Sequence, residues 1–254
     1  MKIKLLVVVY GCLSRSLSIT HKNHQQKIFN ILNENLIRYK TCYVNNKVNY
    51  IDGRNVNDGF NQLISPDYFL EFNQSLIDSC VLELYPNYQK FFRKPPDHPI
   101  DYIEKHGLNP YRNSFIETQV SEFALSKEKQ YTHCLAFCSD NWFDKDFSVD
   151  WINDQSIIIS DQNPADGYTN GLYLGKLSLV SKLMNTFYNL KTDAVKDFEY
   201  LLKCNAERHK IDIIEENFKF LKIRACGAPA YSNSSKLGKS LSYIINDYYP
   251  KYLN

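Results

Sequence analysis

The sequence predicts an α/β fold built on an open sheet, and three observations carry that prediction. KLLVVVYG, near the start, is a continuous apolar run ended by Gly11, and a patterned helix follows it with Ile28, Ile31, Leu32 and Leu36 on one face. YTHCLAFC, Tyr131 to Cys138, is apolar without strict alternation, as a short strand covered on both faces must be. QSIIIS, Gln155 to Ser160, repeats that character after the spacer VDWIND, with helical stretches before and after the pair.

Composition bounds what such a chain can be. Its 254 residues are 44% hydrophobic and 23% charged, enough to bury one large core, and no internal repeat or boundary divides them, so residues 1–254 read as a single domain. Thirty basic against 28 acidic residues leave a net charge of +2, evenly mixed; no basic stripe marks a nucleic-acid partner. No apolar stretch is long enough for a membrane span. Seven scattered cysteines without a CxxC pair predict reduced, buried thiols in a reducing compartment, hence the cytoplasm, with Cys134 and Cys138 on one face of their strand.

The opening MKIKLLVVVYGC has two readings, a short signal peptide or a buried first strand, and the organised segment after it favours the strand. The helix start beyond Gly11 offers backbone N–H groups to a phosphate, with Arg15 beside it to add charge. Tyr39 to Gly53 reads as a second strand. SPDYFLEFNQSLIDS is expected to be a helix capped by Ser65 with Pro66 at its first position, and VLELYP a short strand after it. The proline-rich stretch near 87–110 reads as an irregular excursion over the surface, an acceptor-side loop or a structural insertion.

An amphipathic helix is expected from Arg112, carrying Phe115, Ile116, Val120, Phe123, Ala124 and Leu125 inward. DQNPADGYTNGLYLG, Asp161 to Gly175, is expected as a loop, KLSLVSKLMNTFYNL as a helix, and the segment from Asp193 as one or two helices more. FKFLKIRACG is the last expected strand. The tail 232–254 is aromatic; Tyr243, Tyr248 and Tyr249 fit a homodimer contact or ordinary packing.

Chemistry concentrates after the central strand. SDNWFDKDF places Asp140, Asn141, Asp144 and Asp146 just past its C-terminal end, where open α/β sheets hold their ligands. Carboxylates so placed can hold a hard divalent cation that bridges to substrate phosphates; the competing reading is a solvated turn and helix cap. The glycine-rich phosphate loop, H-E-x-x-H and G-x-S-x-G are missing. The histidines, among them His21, His24, His98 and His106, lack ligand spacing and read as surface or structural residues.

VVVYGCLSR, YTHCLAFCSDNWF, IIISDQ and GYTNGLYLGKLSLVSKLMNTF, in that order, resemble the small GT-A-type glycosyltransferases of bacterial surface-polysaccharide loci and large DNA viruses. Gly11 and Arg15 match that family's opening Gly-x-x-Arg-like turn with the spacing one longer. Of an Arg-x-Arg-Pro-Asp motif only Asp140 survives, with Phe143 beyond. Asn170, in Thr169–Gly175, stands where an aspartate is usual, and Ala206-Glu207 matches a Pro-Glu pair.

The resemblance implies a GT-A-like, mainly parallel sheet with helices on both faces, and transfer of a hexose or pentose from a nucleotide sugar such as a UDP-sugar to a glycan or glycoprotein acceptor. It implies Mn or Mg on Asp140, with Asp144 or Asp146 assisting, and a nucleotide lined by Gly11 and Arg15. Asp166, Asn170 and Glu207 face the transferred sugar, and Asp166, Asp161 and Glu207 are the candidate bases. For a viral member, the compartment is the host cytoplasm. Two alternatives stand beside it: an inactive GT-A-like module that binds glycans or serves assembly, and a nucleotide-dependent enzyme of unrelated chemistry on a similar sheet.

Overall fold

The computed structural model describes residues 3–48, 50–51, 54–55, 59–88, 107–162, 167–190 and 198–223. Asp166, Cys226, His98, His106, most of the 87–110 excursion and the whole 232–254 tail lie outside them.

Seven strands form the main sheet: β1 (Lys4–Gly11), β2 (Arg38–Lys47), β5 (Tyr68–Asn73), β6 (His133–Cys138), β8 (Ser156–Ser160), β9 (Leu172–Lys176) and β10 (Asp212–Glu216). Their order is β10-β8-β9-β6-β1-β2-β5. β1 pairs in parallel with β2 and with β6, β2 with β5, and β8 with β10; only β9 runs against its neighbours β6 and β8. Two further pairs stand outside it, β3 (Tyr50–Ile51) with β4 (Arg54–Asn55), and β7 (Asn141–Phe143) with β11 (Phe220–Lys222).

The alternation of β1 explains its uniform apolarity. Leu6, Val8 and Tyr10 enter one core with Cys42, Cys134, Ala136 and Cys138; Leu5, Val7 and Val9 enter the other with Leu135, Phe137 and Leu174. Cys134 and Cys138 thus share a face, and the described cysteines are free. On the second face lies one continuous helix, α1 (Leu13–His24), a π turn (Gln25–Phe29) and α2 (Asn30–Glu34), contributing Leu13, Leu17, Ile28 and Leu32. The first face is covered by α3 (Gln74–Leu84), α4 (Asn109–Ser126), α5 (Leu177–Met184) and α6 (Phe198–His209). No helix among the described residues is long and apolar enough to cross a membrane.

Several expected elements differ. The helix expected from Ser65 is instead strand β5 followed by α3, because Tyr68–Asn73 alternates between half-buried and exposed positions and pairs with β2. VLELYP is the end of α3 rather than a strand. α4 starts at Asn109, ahead of Arg112, with Pro110 in its first turn, and Leu125 stays exposed. The loop expected over Asp161–Gly175 contains β9, which fills the gap between β6 and β8. In the segment from Asp193, α6 is followed by a strand, β10, an edge position that tolerates acidic residues on its exposed sites. The last expected strand is the short β11, in the small sheet.

Candidate functional site

The sheet grows from β1 in two directions, to β2 and β5 on one side and to β6 on the other. Where an open α/β sheet reverses in this way, a crevice opens between the C-terminal ends of the two strands. Here those ends carry Gly11 and Ser139-Asp140.

Gly11 turns the chain at φ +117°, a conformation that favours glycine, and a Cβ there would sit 3.5 Å from Ser139 Oγ. α1 then starts at once. Its first N–H is taken across strands: Leu13 N donates to Asn45 Oδ1 at 3.1 Å, and Asn45 Nδ2 donates to Glu71 Oε2 at 3.0 Å. Arg15, one turn in, brings Nη1 within 3.6 Å of Asp140 Oδ2. Burial pushes the nearby Cys12 thiol up, so it stays protonated rather than nucleophilic.

Asp140 is fixed by its backbone more than by its carboxylate. Ser139 N donates to Tyr10 O at 2.8 Å, Thr20 Oγ1 donates to Ser139 O at 2.6 Å, and Ile223 N donates to Asp140 O at 2.8 Å. Asn141, wholly buried, donates from Nδ2 to Gly171 O at 2.7 Å, while its Oδ1 has no partner. Beneath it His24 Nε2 donates to Asn141 O at 2.7 Å, and burial pulls the imidazole down to about 4, so it is neutral and structural.

The antiparallel β9 delivers a second loop to the same end of the sheet. Gly171, at φ +100°, presents its carbonyl to both Cys138 N, at 2.9 Å, and Asn141 Nδ2. Next to it Lys222 Nζ donates to Asn170 Oδ1 at 3.1 Å. Because Lys222 pairs with Asn141 in the small sheet, a second cation stands beside the acidic corner.

The expected carboxylates are only partly brought together. Asp140 pairs with Arg15, and its neighbours Ser139 and Asn141 link it to Gly11, Gly171 and Lys222. Asp144 is about 10 Å beyond Asn141, at ~3.3 Å per residue of extended chain; its N donates to Lys219 O, and burial raises its carboxyl. Asp146 accepts from Lys27 Nζ at 2.8 Å on the surface. Among the described residues no three His, Cys, Asp or Glu side chains form a metal-sized group. A strand-end carboxylate such as Asp140 can take a cation that completes its shell with substrate phosphates.

Asp161 follows β8 at the same end of the sheet, two strands from β6 and so about 10 Å to the side; its Oδ1 is buried without a partner. Glu207 is exposed late in α6, where its charge reaches Tyr168. A separate cavity of about 330 Å³ opens between α1, β2 and Leu63–Ser65, lined by His21, Phe29, Tyr39 and Tyr43 near the N-terminal half of β2, away from the crevice.

Sequence reasoning missed two residues here. Lys222 lies in an expected strand with no local signal of its own, and only strand pairing takes it to Asn141. Glu117, wholly buried under the crevice, is part of a polar series in α4, Ser114, Glu117, Thr118 and Ser121, whose three- and four-residue spacing was the available signal. No protein-family model matches the chain, and no curated protein matches it.

Proposed function

We propose that this chain is a GT-A-type glycosyltransferase that moves a sugar from a nucleotide-sugar donor to a glycan or glycoprotein acceptor. The observation that carries the reading is the position of Asp140, at the strand end where the sheet order reverses and 3.6 Å from Arg15. A mainly parallel sheet with helices on both faces and the turn at Gly11 support it.

Asp140 is the residue to hold Mn or Mg, which when bound supplies charge neutralisation for a departing diphosphate. Arg15 and Lys222 bind phosphate oxygens by charge-assisted hydrogen bonds. Asn170 and Gly171 border the transferred sugar. Asp161, at the same end of the sheet, is the described carboxylate assigned to take the acceptor proton.

A second reading, an inactive glycan-binding module, is favoured by one observation: Asn170, at the position where the resembled family usually carries an aspartate, has its Oδ1 engaged by Lys222. A thermal-shift screen with UDP, GDP, CMP and dTDP sugars, each with and without Mn, separates the two. A shift of several degrees that needs Mn and one nucleotide, and is lost in Asp140→Ala, supports the transferase. A shift with oligosaccharides and with no nucleotide supports the module.

A further inference from the structure

Below the crevice, on the first face of the sheet, α4 places one carboxylic acid where no water reaches. Glu117 is fully buried, and its Oε1 accepts from Tyr10 Oη at 2.7 Å and from Tyr173 Oη at 3.0 Å. Tyr173 Oη in turn takes the N–H of Gly171 at 3.4 Å. Its other oxygen, Oε2, is buried with no partner. A carboxyl group that makes only half of its bonds in an apolar core is costly there unless its position does something.

We propose that Glu117 is a positioning residue for the crevice: through Tyr173 it holds the Asn170–Gly171 turn, on which Lys222 Nζ rests at Asn170 Oδ1. The inference rests on the reading of the crevice as a nucleotide site.

The groups around Glu117 fit this role. Tyr10 reaches it from β1, Cys138 from β6, Tyr173 from β9, Glu199 from α6 and Lys222 from β11. Burial pushes the Glu117 carboxyl up to about 8, so at neutral pH it is an uncharged acid whose Oε1 accepts from both tyrosines. A carboxylate there accepts from Tyr173 as well, so the link to the turn depends on an oxygen at this position rather than on its charge.

The test compares the wild-type chain with Glu117→Gln and Glu117→Leu, by titration with UDP and with GDP, each with Mn. The Gln side chain keeps an oxygen that accepts from Tyr10 and Tyr173, and Leu removes it. The expected result is a Gln variant that binds within about twofold of wild type and a Leu variant weakened at least about tenfold. If wild type and both variants bind alike, or the two variants are weakened alike, the proposal is overturned. If neither nucleotide binds, the nucleotide reading fails by itself, and hydrogen exchange of the Gly171 amide decides. Exchange that is faster in Glu117→Leu than in wild type and restored in Glu117→Gln supports the positioning role; identical exchange in all three overturns it.

Discussion

Arg15 and Asp140 face each other across the ends of β1 and β6, Nη1 to Oδ2 at 3.6 Å. That is an ion pair too long for a good hydrogen bond, and it leaves each partner able to take another. One side chain can turn to a phosphate while the other turns to a cation.

On the transferase reading, Arg15→Met is expected to affect two ligands in opposite directions. With the cation gone, Asp140 binds free Mn up to about fivefold more tightly, the equivalent of the ~0.2–1 kcal/mol typical of a part-exposed pair. A nucleoside diphosphate with Mn binds about 10–100-fold more weakly, from loss of a charged hydrogen bond of roughly 1.5–3 kcal/mol. Calorimetric titration of each ligand reads both; changes of the same sign refute the exchange of partners.

His24 sets an acid limit on stability. Its folded value, about 4, lies below the ordinary 6.5, so between the two the unfolded chain binds the extra proton. The contribution is complete above pH 6.5 and is lost as pH falls toward 4, with a slope from this group of up to about 1.4 kcal/mol per pH unit. Urea unfolding at several pH values should show that slope flattened in His24→Gln, whose amide can still donate to Asn141 O.

Leu36 ends the first long helix in a left-handed conformation, φ 55°, and is 87% exposed. Leu36 N bonds to Asn33 O and Ile37 N to Leu32 O, a helix stop that favours glycine at this position. Leu36→Gly is expected to stabilise the fold by roughly 0.5–1 kcal/mol, the left-handed strain relieved less the greater freedom glycine gives the unfolded chain. The melting temperature should rise by about 1–3 °C, and a fall would show that Leu36 packs against something.

The sequence disclosed the strands that are buried on both faces, together with β2, and little of the rest of the sheet. β1, β6 and β8 are continuous apolar runs, and only such a run fits between two helical layers. β5 lies at an edge, so its alternation is shallow, and the Ser65-Pro66 ahead of it imitates a helix start. β9 is hidden by Gly171 and Asn170, whose turn chemistry reads as loop, although the next five residues are strand. β10 carries Asp212, Glu215 and Glu216, which a buried strand would not. Asp140 was legible as the first carboxylate past a buried strand. Lys222 and Glu117 were not, because only the pairing of β7 with β11 and the packing of α4 under the sheet bring them near it.

The central place of β1 also matters while the protein is being made. One of its flanks, β2, follows within a few dozen residues, but Lys4 meets its partner Thr132 across a separation of 128 residues. At ribosomal speeds of ~5–20 residues per second, one edge of the most apolar strand in the chain waits roughly 6–25 s for β6. An unpaired edge of that composition is a template for other nascent chains. A chain halted short of residue 133 keeps it exposed and is expected to sediment as aggregate in a larger proportion than the 254-residue chain.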